Sequence, residues 1–455
     1  MERASGVLLP LFSLPGPFCL GTLGATARRF IDLISAAGFT YWQMLPLCPP
    51  DGFLSPYAAR SSFAWDIAYL DPYEMQAEGL LTADEVADAV RAPGRWREAD
   101  AADRRYCLLT LAAPRADRTA VEDFLRENPD TATYCRLASE REGRDFFALA
   151  LGQYELWREW CALREYAHAR GVRLIGDLPI YVAADSYDAL ACPEAFLTDG
   201  DGHPVRVAGV PPDYFAPEGQ VWGNPLYDYA RLAEDGFAFL RRRFDFIARR
   251  FDAVRLDHFR GYDAYFSVPV GKGAREGSWE AAPGDAVLSA LRTGREDYPM
   301  IAEDLGEVGE GVERLRRAHG LLSTRVLQFG FLGDPQSVHL PYRYPVDSAV
   351  YSGTHDNETL QEYIARMPDG ERAYLLDYCG AQGGEAPYRA VVRTLLSSSA
   401  ALAVFPLADL LGLGAPFRIN TPGRAEGNWS VRFSDEEIAT LDCEHYRYMN
   451  RLFGR

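Results

Sequence analysis

Three short stretches place acidic side chains behind apolar runs: Val-Arg-Leu-Asp-His-Phe around Asp257, Met-Ile-Ala-Glu-Asp-Leu around Glu303, and Tyr-Ser-Gly-Thr-His-Asp-Asn around Asp356. Each run reads as a strand, with the acid at its carboxyl end. A barrel of parallel strands builds its active site at that end. Carboxylates converging there from separate strands can supply a nucleophile and a general acid, the pair that breaks and remakes a glycosidic bond.

Each acid has a plainer reading beside the chemical one. Arg255 and Asp257 are two apart on one strand and so share a face. The guanidinium is expected to lower the Asp257 pKa and keep it ionised, as a nucleophile requires; a structural ion pair inside the barrel fits the same residues. Glu303 suits a general acid if an apolar wall or a second carboxylate keeps it protonated, and a strand-end helix cap if not. His355 and Asp356 can bind sugar hydroxyls or simply make a turn. His258 and His355 are the two of seven histidines at these strands, and no third ligand stands at metal spacing, so no metal is expected. The stretch 210–215 (Val-Pro-Pro-Asp-Tyr-Phe) and the run Gln-Val-Trp-Gly-Asn-Pro at 220–225 combine aromatic rings with polar side chains. These stack on and hydrogen-bond to glucose rings, or pack as an ordinary surface loop.

Stepping outward, apolar runs at 6–11, 41–45, 172–175, 253–256, 300–302, 325–329, 349–352 and 401–405 read as eight strands. Helical spacing appears at 25–37, 146–170, 237–250, 310–319 and 389–397. The alternation predicts an α/β fold, a (β/α)8 TIM barrel, in one catalytic unit over 1–455. It is interrupted after strand two by an insertion at 47–144, expected to cover one side of the barrel mouth, and after strand three by another at 186–227. Little chain follows strand eight, so no C-terminal β domain is expected.

A chain of 455 residues, 48% hydrophobic, can bury a large core. The net charge of -18 argues against a nucleic-acid partner. Eight scattered cysteines without CxxC spacing read as reduced thiols, the N-terminus lacks a signal-peptide pattern, and no apolar run reaches membrane-spanning length. The expected home is the cytoplasm.

Together the motifs resemble the 4-alpha-glucanotransferases called amylomaltases or disproportionating enzymes, glycoside hydrolase family 77, within the α-amylase clan. The resemblance runs from Leu-Leu-Pro-Leu-Phe-Ser-Leu-Pro and Tyr-Trp-Gln-Met-Leu-Pro-Leu through Ser55-Pro56-Tyr57 and Gly-Asp-Leu-Pro-Ile at 176–180. It continues through the loop at 211–225, Arg-Leu-Asp-His-Phe-Arg-Gly, Ala-Glu-Asp-Leu-Gly and Gly-Thr-His-Asp-Asn to Arg-Ile-Asn-Thr-Pro-Gly and Gly-Asn-Trp at 427–429. It implies retaining transfer of α-1,4-glucan segments from a maltodextrin to the 4-hydroxyl of a glucose or glucan acceptor, without a cofactor. Hydrolysis by the same acids and a non-catalytic glucan-binding barrel are the alternatives. By position it implies Asp257 as nucleophile, Glu303 as acid/base and Asp356 as a third acid gripping ring hydroxyls. Arg255 would orient Asp257. Tyr57, Asp177, His258 and His355 would surround the donor glucose, and Trp222 with Asp213, Tyr214 and Phe215 would lie over the acceptor side. Asn428 and Trp429 would be structural. The implied partners are maltodextrin and glycogen- or starch-derived glucans. The chain departs from the family where Phe-Ala-Trp-Asp-Ile at 63–67 replaces a usual Gly-Asn-Pro, and in a shortened first insertion.

Overall fold

The computed structural model describes all residues except 92–93, 213–216, 307 and 425. Twelve strands are present among the described residues: β1 (Ala4–Leu8), β2 (Tyr41–Gln43), β3 (Arg173–Leu178), β4 (Arg206–Val210), β5 (Gln220–Pro225), β6 (Ala253–Leu256), β7 (Ala264–Pro269), β8 (Ser278–Ala281), β9 (Met300–Ala302), β10 (Leu322–Val326), β11 (Ser348–Tyr351) and β12 (Leu402–Pro406). Eight close into a parallel barrel in the order β1-β12-β11-β10-β9-β6-β3-β2. This is the (β/α)8 barrel expected from the alternation of strands and helices. Its strands are buried on both faces, as a helix-wrapped parallel sheet requires.

Local chemistry sets the boundaries. The helix Phe146–Ala169 starts where Asp145 accepts a bond from Ala148 N at 2.8 Å, and Gly171 follows its end at φ 71. In β3, a Cβ on Gly176 would stand 2.6 Å from the Phe251 ring, so glycine there lets Phe251 close over the strand. The sixth barrel strand is Leu322–Val326 rather than 325–329. The expected strand falls across the boundary: its second half turns into the short helix Leu327–Gly330, and Gly320 at φ 64 precedes the earlier start at Leu322.

The segment after β2 folds as short helices, including Ala101–Ala112 and Pro129–Glu142, packed on Phe146–Ala169. The divergent run at 63–67 is pinned there. Gln153 bonds both Trp65 N and Trp65 O, at 2.9 and 2.8 Å, and Trp65 meets Trp160 edge-on at 4.9 Å.

A second sheet had no counterpart in the sequence reading. It is antiparallel, in the order β5-β4-β7-β8. Two of its strands come from the stretch 186–227 and two from the connection after β6. Its own core is small, made of Val207, Phe266, Val268 and Ala274. Among the described residues no helix is long and apolar enough to cross a membrane.

Candidate active site

The carboxyl ends of β3, β6 and β9 meet around one guanidinium. Arg255, on β6, is 3% exposed. Its Nη1 donates to both oxygens of Asp177 at 2.8 and 2.7 Å and to Asp257 Oδ1 at 3.2 Å. Its Nη2 lies 3.1 Å from Glu303 Oε1. The backbone fixes the two cleft acids as firmly. Asp257 N bonds Leu178 O, and Glu303 N bonds Leu256 O, both at 3.1 Å, so each acid still belongs to the barrel ladder. His258 adds a 2.6 Å bond from its N–H to Glu303 Oε2, with its own backbone at φ 46. A non-glycine residue in that conformation is held by its surroundings, a recurrent feature of functional sites.

Asp356 comes from the loop after β11. Asn420 donates to its Oδ1 at 2.6 Å, and His355 Nε2 stands 3.3 Å from its Oδ2. His355 is buried and stacks on Tyr57, ring centroids 5.1 Å apart and 15° between planes. The Tyr57 hydroxyl donates to Asp177 Oδ2 at 2.8 Å, which ties this aromatic pair back to Arg255.

These groups line a cleft of ≈ 490 Å³. Tyr57, Asp257, His258, Glu303, His355 and Asp356 face it, and Trp222 stands across from them, edge-on to His258 at 4.9 Å. Asp177 and Arg255 sit behind that lining as its support. Asp213, Tyr214 and Phe215 lie outside the described residues. Gln220 and Asn224, polar residues of the run at 220–225 expected to meet sugar hydroxyls, line the cleft as well. Tyr181 and Asn420 line it without having been assigned a role, and for Asn420 an amide side chain in the Arg-Ile-Asn-Thr-Pro-Gly motif was the available signal. Trp429, expected to be structural, lines the cleft at φ 58 and lies 5.8 Å from His355. Asn428 braces the loop, accepting from Thr421 N at 2.9 Å and donating to Arg424 O at 2.8 Å.

Electrostatics corrects one expectation. Arg255 does pull the Asp257 pKa down, but enclosure outweighs it, helped by Glu303, Asp177 and Asp356, and Asp257 ends well above the usual carboxylate range. Its side chain still shows 21% of its surface to the cleft, so enclosed here does not mean inaccessible. Burial also raises Asp177, against Arg255 and His355. Asp257 and Asp177, both facing the Arg255 guanidinium, are therefore each raised by enclosure despite the cation between them. Burial lowers the His258 pKa, which keeps its imidazole neutral. Its Nε2 is buried without a hydrogen-bond partner among the described residues. No group of three or more metal-ligating side chains occurs among the described residues.

The chain matches the family described as 4-alpha-glucanotransferase over residues 9–150 and 135–438. It is 35% identical to the 4-alpha-glucanotransferase of Aquifex aeolicus over 489 residues, covering 100% of this chain and 99% of that protein. It is 36% identical to the 4-alpha-glucanotransferase of Thermus thermophilus over 484 residues, 96% of each. Among solved structures it superposes on the amylomaltase from Streptococcus agalactiae in complex with acarbose with a TM-score of 0.95, at 29% identity and full coverage of both chains.

Proposed function

The chain belongs to the 4-alpha-glucanotransferase family, and we propose the following assignment of its cleft residues to the transfer of α-1,4-glucan segments. The observation that carries it is the single guanidinium of Arg255 binding both Asp257 and Glu303. Shared binding by one guanidinium keeps the two carboxylates close enough to act on one bond, as the separation of about 5–5.5 Å in retaining enzymes requires.

The reaction requires Glu303 as the proton donor and Asp257 in its ionised form. Asp257 attacks the anomeric carbon of the donor as Glu303 passes its proton to the glycosidic oxygen, and the reducing-end fragment leaves. The glycosyl group is then bound to the Asp257 carboxylate. Glu303, now ionised, removes the proton from the 4-hydroxyl of an incoming glucose or glucan. That oxygen takes the anomeric carbon and Asp257 is released, so two inversions give net retention. Asp356 grips ring hydroxyls of the donor sugar and helps distort it. His258 and His355 line the donor glucose site, while Tyr57 backs the ring. Asp177 and Arg255 hold Asp257 in line.

Transfer requires that a sugar outcompete water for the intermediate. Trp222 offers the acceptor an aromatic face opposite the acids and covers that side of the cleft. Asp213, Tyr214 and Phe215 are assigned to the same side from the sequence alone. We take the chain as one catalytic unit with insertions at 47–144 and 186–227, acting on maltodextrins and on the glucans released from glycogen or starch. Eight free thiols fit a reducing compartment such as the cytoplasm.

Incubation with maltotriose tests the reading. Glucose together with a ladder of longer maltodextrins is the expected result. Glucose and maltose alone would make the protein a hydrolase, and an inert maltotriose with an inert longer donor would leave a binding protein.

A further inference from the structure

The loop between β11 and the helix Leu360–Arg366 carries His355 and Asp356 into the cleft. Both of its stems donate to one side chain. Ser352, directly after β11, gives its hydroxyl to Asp409 Oδ2 at 2.5 Å. Leu360, the first residue of the helix, gives its N–H to Asp409 Oδ1 at 2.7 Å. Asp409 lies on the short helix Leu407–Leu411 immediately after β12 and is 0% exposed. We propose that Asp409 is a positioning residue for the reaction, clamping the two stems of the loop so that His355 and Asp356 meet the donor sugar in one geometry. This rests on the reading of Asp356 as the acid that grips the donor ring.

The side-chain chemistry fits a clamp. A carboxylate presents an acceptor on each oxygen, whereas an asparagine amide presents one acceptor and turns its NH2 toward the second donor. Among the described residues no cation pairs with Asp409, so two neutral donors are its whole support. Burying a carboxyl group on those terms is costly, and an apolar residue would suit the core better. Thr359 caps Leu360–Arg366 from within the loop by accepting from Glu362 N at 3.3 Å, and Asp409 accepts a second free N–H of the same first turn from outside it, while also holding Ser352 at the other stem. The tip of the loop has separate braces. Asn420 bonds the Asp356 carboxylate, Arg418 bonds Asp356 O at 3.2 Å, and Gln328 bonds Glu358 O at 2.9 Å. Those contacts hold the tip against its neighbours, while Asp409 sets the spacing of the stems. Asp409 does not line the cleft and acts through the loop.

Asp409→Asn, Ser352→Ala and the double variant test this in the full chain. Disproportionation of maltotriose is measured per folded molecule, with the folded fraction taken from thermal unfolding. Asp409→Asn is expected to lower kcat on the order of 10²-fold, the scale of a misplacement of about 1 Å. Ser352→Ala should lower it less, and the double variant should be no worse than Asp409→Asn, because both changes act on one clamp. The KM for the acceptor sugar should stay unchanged, since the Trp222 wall is untouched. A folded Asp409→Asn with wild-type kcat would overturn the proposal, as would a kcat loss that only tracks the unfolded fraction. Should Asp409→Asn fail to fold, Ser352→Ala decides: unchanged kcat per folded molecule overturns the clamp. A wild-type protein that makes no ladder would sink the functional reading and this inference with it. An active wild type with unaffected variants sinks this inference alone.

Discussion

On the barrel side of the cleft, Arg255 binds three carboxylates, Asp177 behind it is 1% exposed, and the cleft acids Asp257 and Glu303 are tied by their own backbone into the strand ladder. On the opposite side, Trp222 is 38% exposed, its neighbour Val221 is 46% exposed, and the indole N–H donates to Gln220, two residues away on the same strand. The second sheet has a separate core of four side chains and meets the main core through Ala208 and Tyr265, while the strands beneath Asp257 lie within the main core. The two walls answer to different demands. Bond-making groups must stay within a fraction of an ångström of their target, and the barrel supplies that rigidity. A wall that admits acceptors of different length needs an apolar face and room to adjust.

If the walls divide the work in this way, changes on the barrel side should abolish chemistry and changes on the sheet side should redirect it. Glu303→Gln should reduce turnover of maltotriose by roughly 10²–10⁴-fold, the usual contribution of a general acid, with donor binding retained. Comparable turnover with retained product distribution would contradict the division. Arg255→Met should remove activity and also unsettle the fold. It leaves the buried Asp177 and its neighbours without their cation, and breaking a buried pair costs about 3–5 kcal/mol. Denaturant unfolding measures this, and a variant as stable as wild type would show that the cluster does not depend on Arg255.

The acid limb of the rate profile is the next, smaller effect. Asp257 attacks only when ionised, and its pKa lies well above the usual range, so activity should fall as pH drops through that raised value rather than near pH 4. A kcat/KM profile still flat at pH 4.5 would mean that enclosure does not raise Asp257. The mildest change is Trp222→Ala. It should lower the ratio of transfer products to hydrolysis while leaving donor cleavage nearly intact. Size-resolved product analysis reads both, and equal losses of the two would place Trp222 on the donor side.

Much of the barrel side was legible because strand-end chemistry is local. Apolar runs at 253–256 and 300–302 match β6 and β9 residue for residue, and the acids follow them at once. The β10 boundary was harder, since Ser323, Thr324 and Arg325 break the apolar pattern of the strand, while Val326 and Leu327 continue it into the helical turn. The sheet side was largely hidden. Strand β8 is exposed along its whole length, and β4 and β5 are interrupted by glycines, so none shows strong alternation. Trp429 and Asn420 were visible as motif residues, but their place in the cleft depends on a loop that returns from far along the chain. The sign of the Asp257 shift was out of reach for a related reason. Two residues of spacing reveal Arg255, whereas enclosure and the three other carboxylates appear only in the folded site.

The central claim is that Asp257 carries the glycosyl group between donor and acceptor. A glucosyl or maltosyl fluoride needs no protonation of its leaving group, so Glu303→Gln should still be glycosylated by it while deglycosylation is slowed. Peptide mapping of that trapped protein by mass spectrometry is the direct measurement. A hexose or maltose adduct on the peptide containing Asp257, localised to that residue, is the predicted result. An adduct on Asp356 or Asp177, or none while the fluoride is consumed, would contradict the account.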